Sequence, residues 1–317
     1  MATRLQQRRA RLRAEYGFDF PDDFYQFWEL ASKLSPLDPL HALAGPLDLA
    51  LVGPFEVLAG RFDGRVPRHS LLLHWRYHDD PPEFFTVLAG GGDGLHHGYF
   101  LDDPDAGPAG CVASYFARDA YELSTDGDTL FEAVRLHLEY LHADFETDLG
   151  YELIGADEHR EGVEPLARLR QLLTQYETAD RPEVGEAYTE RYAGLSARNE
   201  LVVAETHEGM GIVADAKLYR PLSLTGRKLW RAVLRKKADL TPLAEEARRA
   251  LRDGFPATAL ELGKDLWATG DPRKAELSYA LLDAAYAALG REALRRVLHT
   301  HRAARDLPSV DILEGEA

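Results

Sequence analysis

The chain has 317 residues, 45% of them apolar and 28% charged, which is ordinary for a globular protein and long enough for two medium-sized cores. Its 53 acidic residues outnumber 37 Lys and Arg, for a formal charge of −16 that repels phosphate backbones, so direct nucleic-acid binding is not expected. Cys111 is the single cysteine, which excludes an internal disulfide and a cysteine-rich zinc module, and no stretch approaches the length of an uncharged apolar membrane span.

The Arg-rich stretch from Met1 to Tyr16 lacks the apolar centre of a secretory signal, and Glu15 with the scarcity of Ser argues against a transit peptide. A cytoplasmic location without a membrane partner is the expectation. Arg4 to Tyr16 reads as a short basic helix. Asp22-Asp23 then favours a helix start, with Phe24, Phe27, Trp28 and Ala31 on one apolar face.

From Leu47 the pattern changes to short apolar runs: Leu47 to Val52, Phe55 to Leu58, Leu71 to Tyr77, Phe84 to Leu88, Leu95 to Phe100 and Cys111 to Tyr115. Gly, Pro and Asp separate them, so the spacing predicts a meander of antiparallel strands. A helix presenting Leu130, Val134, Leu138 and Leu141 follows Gly127-Asp128. Beyond about residue 150 strand signal fades. Leu166 to Tyr176 looks helical, Leu201 to Val203 and Gly211 to Val213 suit a small hairpin, and punctuation after Leu224 leaves room for four helices. The expected fold is α+β: an N-terminal antiparallel sheet with flanking helices, then a mainly α-helical C-terminal region. We expect a basic helix over 1–17, an α+β domain over 18–150 and a mainly helical domain over 151–317. No heptad seam demands self-association, so a monomer is expected.

Familiar catalytic signatures are absent from the sequence: no G-x-S-x-G, H-E-x-x-H or G-x-x-x-x-G-K occurs. Gly209-Met-Gly211-Ile-Val-Ala214 matches a dinucleotide fingerprint only loosely, and Asp215 to Pro221 after it is no helix start, so it reads as a tight turn. Adjacent His96 and His97 point to opposite faces of a strand and cannot share one metal. His74 and Arg76 would share a strand face, His74 as a satisfied core histidine, and Cys111 reads as a small core residue. Two basic stretches, Arg4 to Arg13 and Arg227 to Lys237, have helical spacing; a solvated helix face is the simpler reading of each.

Several stretches together carry a resemblance. In order they are Phe20-Pro-Asp-Asp-Phe-Tyr-Gln-Phe-Trp28, Leu51 to Gly60, Leu73-His-Trp-Arg-Tyr-His-Asp-Asp-Pro-Pro-Glu-Phe84, His97-Gly-Tyr-Phe-Leu-Asp-Asp-Pro-Asp105 and Gly127 to Val134. His207-Glu-Gly-Met-Gly-Ile-Val213, Tyr219-Arg220 and Leu260-Glu-Leu-Gly-Lys-Asp-Leu-Trp267 continue it. From about Phe18 onward the chain resembles the histone PARylation factor family, accessory proteins of poly(ADP-ribose) polymerases. The helix-then-meander layout of the N-terminal half is also similar to SUKH-type immunity and scaffold proteins.

The resemblance implies a protein that docks on the catalytic domain of an ADP-ribosyltransferase and completes its active site with a carboxylate. That carboxylate deprotonates an acceptor serine. NAD belongs to the partner, and no cofactor is expected on this chain. Counted back from Leu260-Glu-Leu-Gly263, the family's catalytic Glu falls on Asp253 and the acidic residue before it on Arg252. The resemblance makes Asp253 and Arg220 the catalytic pair, and Tyr219, Arg220, Arg249 and Arg252 the partner-binding set.

Two readings of Asp253 stand at this level. The residue types alone place Glu246, Arg249 and Asp253 on one helix face as a charge ladder worth a few tenths of a kcal/mol per pair. The resemblance makes Asp253 a base one methylene shorter than the family's. Glu261, Asp265 and Glu208 are alternative carboxylates, the first two suited to helix-face ion pairs and the third to a loop. The alternative functions are a catalytically silent binding or immunity-type module of the same fold and, with less support, a stand-alone hydrolase of ADP-ribose linkages.

Overall fold

The computed structural model describes residues 3–314 except 108, 119 and 178, and leaves the side chains of 120 and 121 undescribed. Helix α1 (Arg4–Tyr16) starts on a reciprocal cap, in which Thr3 accepts from the Gln6 N–H and the Gln6 side chain returns the bond, and it ends at Gly17 in the left-handed region. Its cations are struts. Arg8 pairs with Asp63 at 2.6 Å, Arg13 with Asp19 at 3.3 Å, and Arg11 donates to the Phe62 carbonyl. Leu12 and Tyr16 point inward. Helix α2 (Asp22–Leu34) buries the expected Phe24, Phe27, Trp28 and Ala31.

A five-stranded antiparallel sheet follows in sequence order: β1 (Leu49–Leu51), β2 (Phe84–Gly90), β3 (Leu95–Phe100), β4 (Cys111–Phe116) and β5 (Ala120–Gly127). A hairpin through Gly90 to Gly94 joins β2 and β3. Alternation sorts the side chains to two faces. Phe85, Val87, Tyr99 and Val112 join the main core, whereas Phe84, Phe100, Cys111, Ala113, Tyr115 and Leu123 form a second cluster with Met210. Both faces are covered, so the central strands read as continuous apolar runs.

Two expected strands are not strands. Phe55 to Leu58 lies in helix α4 (Pro54–Ala59), after the single turn α3 (Ala44–Leu47). Pro54 occupies the first helical turn and Gly60 the left-handed position after the last. Leu71 to Tyr77 begins as a 3-10 turn over Leu71–Leu73 and continues irregularly. His74 is buried there against Glu56, as a satisfied core histidine. The Arg76 guanidinium, equally buried, donates to the carbonyls of Leu72, Pro81 and Phe84. Conversely, β5 lies in a stretch that the apolar pattern leaves unassigned.

Thr129 caps α5 (Leu130–Gly150) by accepting from the Glu132 N–H. Helices α6 (Ala156–Leu173) and α7 (Glu186–Tyr192) pack beside it around fully buried Glu139, which is satisfied by Arg135, Arg170 and the Gly185 N–H. The hairpin of β6 (Val202–Ala204) and β7 (Ile212–Val213) turns through Gly209, where φ is +96° and an added Cβ would lie 2.5 Å from the Leu123 carbonyl oxygen. The glycines of the loose dinucleotide fingerprint therefore serve a turn wedged under β5.

Five helices follow, one more than expected: α8 (Gly226–Leu234), α9 (Thr241–Arg252), α10 (Pro256–Trp267), α11 (Pro272–Leu289) and α12 (Glu292–Ala303). Helix α10 is buried along its whole length. Trp267 donates to the Asp79 carbonyl, and Tyr286 of α11 donates to Glu83 at 2.7 Å. These bonds fix the helical half to the segment leading into β2, so α10 is a rigid platform. No described helix is long and apolar enough to cross a membrane.

Candidate functional site

The elbow between α9 and α10 is written in its sequence, Leu251-Arg-Asp-Gly-Phe-Pro256. Helix α9 buries Leu243, Ala244, Ala247 and Ala250 and leaves its other face to solvent. It stops because Gly254 adopts φ +92°, a left-handed conformation that an L side chain resists. The Asp253 N–H donates to the Arg249 carbonyl, and the Phe255 N–H reaches back to that of Ala250 at 2.8 Å. Pro256 then opens α10 with its φ already helical. Asp253 is thus held at the corner, pointing outward.

Arg220 arrives from an extended segment that crosses α10. Its backbone is clamped by Thr258, whose hydroxyl accepts from the Arg220 N–H at 3.0 Å and donates to the Arg220 carbonyl at 2.6 Å. The Arg220 guanidinium lies over the Phe255 ring, 4.4 Å from its centroid, and donates to Asp253 Oδ2 at 2.8 Å. The two side chains remain 46% and 47% exposed. No other hydrogen bond reaches Asp253 Oδ1 among the described residues. One oxygen is anchored and the other is free.

The charge ladder expected along α9 does not form. Glu246 instead accepts from both the N–H and the hydroxyl of Ser223, at 2.8 and 2.7 Å. Arg249 and Arg252 are exposed and have no ion-pair partner among the described residues. Tyr219, by contrast, turns inward, and its hydroxyl donates to Glu261 Oε2 at 3.1 Å.

Glu261, Asp265 and Glu208 are all buried, so the first two are not helix-face ion pairs, and the loop that carries Glu208 is tucked inside. Burial raises Glu261 to about 7, although the Tyr219 hydroxyl opposes it. Asp265 rises to about 8 by burial, against the His207 N–H that donates to it at 2.7 Å. Glu208 pairs with Lys264 at 2.8 Å, and Glu83 lies 3.5 Å from the same ammonium. Burial alone would lower Lys264; Glu208 and Glu83 more than offset it and hold the ammonium charged. Sequence reasoning weighed these carboxylates as candidates but missed that Lys264 joins Glu208 to Glu83, residues far apart in the chain.

The chemistry open to the exposed pair is that of a positioned carboxylate. Elsewhere, burial raises the Cys111 thiol to about 12, which removes it as a nucleophile at neutral pH. Among the described residues no three His, Cys, Asp or Glu side chains gather as a metal site.

Comparison with known proteins covers nearly the whole chain. A family model described as Histone PARylation factor 1 matches residues 7–305. Histone PARylation factor 1 of Mus musculus is 30% identical over 319 residues, covering 95% of this chain and 87% of that protein. Its Danio rerio counterpart is 30% identical over 315 residues, with 94% and 86% covered. A Homo sapiens protein named putative histone PARylation factor 1-like is 27% identical over 326 residues. The match runs through both the sheet and the helices, and on this ground the chain belongs to the Histone PARylation factor 1 family.

Proposed function

We propose that the protein is an accessory factor of histone ADP-ribosylation, docking on the catalytic domain of an ADP-ribosyltransferase and lending Asp253 as the general base for an acceptor serine. The observation that carries this reading is the exposed Arg220–Asp253 pair on the rigid α9–α10 elbow. A serine hydroxyl is a poor nucleophile at neutral pH, and a placed base contributes ~10²- to 10⁴-fold. A base must be held in place and reachable, and the Thr258 clamp, the Phe255 ring and the free Oδ1 supply both conditions.

In this reading the acceptor hydroxyl approaches Oδ1 and gives it its proton as its oxygen bonds to the ribose carbon of the partner's NAD, whose bond to nicotinamide breaks and releases nicotinamide. Arg220 keeps Oδ2 fixed, and its remaining N–H groups face outward, suited to a carboxylate on the partner. Arg249 and Arg252 flank the corner and suit acidic side chains of the docked domain. Tyr219 supports the arrangement from inside rather than touching the partner. The chain binds no NAD itself; the partner does, and the working unit is one copy of this chain with one transferase.

Co-purification with an ADP-ribosyltransferase catalytic domain, followed by transfer to serine-containing and serine-free peptides, tests the proposal. The protein should direct transfer to serine; unchanged rate and acceptor would refute it. Arg252 in place of an acidic residue favours a second reading, a partner-binding module without a catalytic role. That reading predicts full activity after Asp253→Ala.

A further inference from the structure

The two basic stretches of this acidic chain have different fates. In α1 four of the cations, Arg8, Arg9, Arg11 and Arg13, are bound internally, to Asp63, Asp22, Asp19 and backbone carbonyls. In the second stretch Arg227, Lys228, Arg231, Arg235, Lys236 and Lys237 are all exposed, and none has an ion-pair or hydrogen-bond partner for its side chain among the described residues. Arg227, Lys228 and Arg231 fall on one face of α8, opposite buried Leu229 and Val233, and Arg235, Lys236 and Lys237 follow directly after the helix ends at Leu234. Six cations in eleven residues, unpaired in a chain of net charge −16, form a local field of the opposite sign.

A cavity of about 550 Å³ opens where α8 ends and α9 begins. Arg235 and Lys237 line it together with the apolar side chains of Leu224, Leu240, Pro242 and Leu243, and with Asp239, whose carboxylate is engaged by the Thr241 N–H at 3.0 Å. Cations beside an apolar cleft of this size suit a phosphate attached to a planar ring. The site is also tied to the elbow, because Ser223 bonds Glu246 of α9 and Arg220 bonds Asp253 in the segment that enters α8. Arg227 lies seven positions after Arg220, so the cationic face begins within roughly 25 Å of the pair even for fully extended chain.

We infer that this face and its cleft dock an ADP-ribose polymer, with pyrophosphates on the α8 cations and an adenine ring in the cleft. The inference rests on the function proposed above, in which such units are attached to an acceptor serine beside Asp253. A flexible chain of this kind fits better than a duplex. Its rings are free to enter the cleft, and its length need not run past the acidic remainder of the protein. Held there, a growing or pre-existing chain keeps the acceptor near the shared site.

Fluorescence anisotropy with a labelled ADP-ribose oligomer and the full chain, without any transferase, tests the inference. Saturable binding that weakens as salt rises is expected, and Arg231→Glu with Lys236→Glu and Lys237→Glu should weaken it at least about tenfold. A control with the same change of net charge elsewhere, Lys33→Glu with Arg160→Glu and Arg168→Glu, should leave it within about twofold. Melting curves of both triple variants verify folding. The inference is overturned by absent oligomer binding, by equal losses in the two triple variants, or by an oligodeoxyadenylate of matched charge binding as tightly. Because no transferase is present, a protein that binds the oligomer but fails to redirect transfer refutes the proposed function alone.

Discussion

The guanidinium of Arg220 and the carboxylate of Asp253 come from positions 33 residues apart and meet at 2.8 Å on the outside of the molecule. Exposed ion pairs contribute about 0–1 kcal/mol to stability, so a pair like this is cheap to lose structurally. Arg220→Ala should therefore change the unfolding free energy by less than about 1 kcal/mol. Serine-directed transfer with the partner should fall at least about tenfold, since the carboxylate loses its anchor. Denaturant melts and initial rates on the same preparation separate the two effects.

The clamp on Arg220 is testable through Thr258. Thr258→Val keeps the volume but leaves the Arg220 N–H without its buried acceptor, at a cost of about 1 to 3 kcal/mol. Thr258→Ser restores the hydroxyl and should recover most of both stability and serine transfer. Equal stability of the valine and wild-type proteins would show that the clamp does not hold.

Gly254 sets the direction of Asp253. With φ at +92°, Gly254→Ala forces a Cβ into the left-handed region, which costs about 1–2 kcal/mol although no neighbour lies within 4 Å of it. The strain falls on the residue after Asp253, so transfer should decline by more than the stability loss explains. Rates at a temperature where both proteins are fully folded provide the measurement.

The buried carboxylates behind the pair make stability depend on pH. Glu261 and Asp265 sit at about 7 and 8 in the folded protein, against ordinary values of 4.5 and 3.8. Between those limits the folded chain holds more protons than the unfolded one, so these groups lower stability as pH rises from about 4 to 8. Asp265→Asn removes one of them and should flatten that fall, most visibly at pH 8. Parallel slopes for the two proteins in unfolding titrations would contradict the assignment.

How much of this was legible in the sequence varies by element. Strands β2, β3 and β4 were readable because burial on both faces left long apolar runs. Helix α4 was misread because Gly53-Pro54 and Gly60 serve equally as turn residues and as helix punctuation around a short apolar run. Strand β5 was missed because Glu122, Ser124, Thr125 and Asp126 are polar, and the cover over Leu123 comes from the distant Glu208 loop. At the site, periodicity pointed to a local Glu246–Arg249–Asp253 ladder. Only family resemblance suggested Arg220, because the contacts that replace the ladder are made by a segment far upstream.

The central claim is that a solvent-facing carboxylate on a fixed corner finishes another protein's reaction centre. Its most direct test compares wild type, Asp253→Asn and Asp253→Glu in serine-directed transfer by a bound ADP-ribosyltransferase domain, with partner affinity measured in parallel. Asp253→Asn is expected to bind the partner about as well as wild type yet lose ~10²-fold or more in serine transfer, while Asp253→Glu retains it. Serine transfer by Asp253→Asn at the wild-type rate would show that Asp253 is not the base.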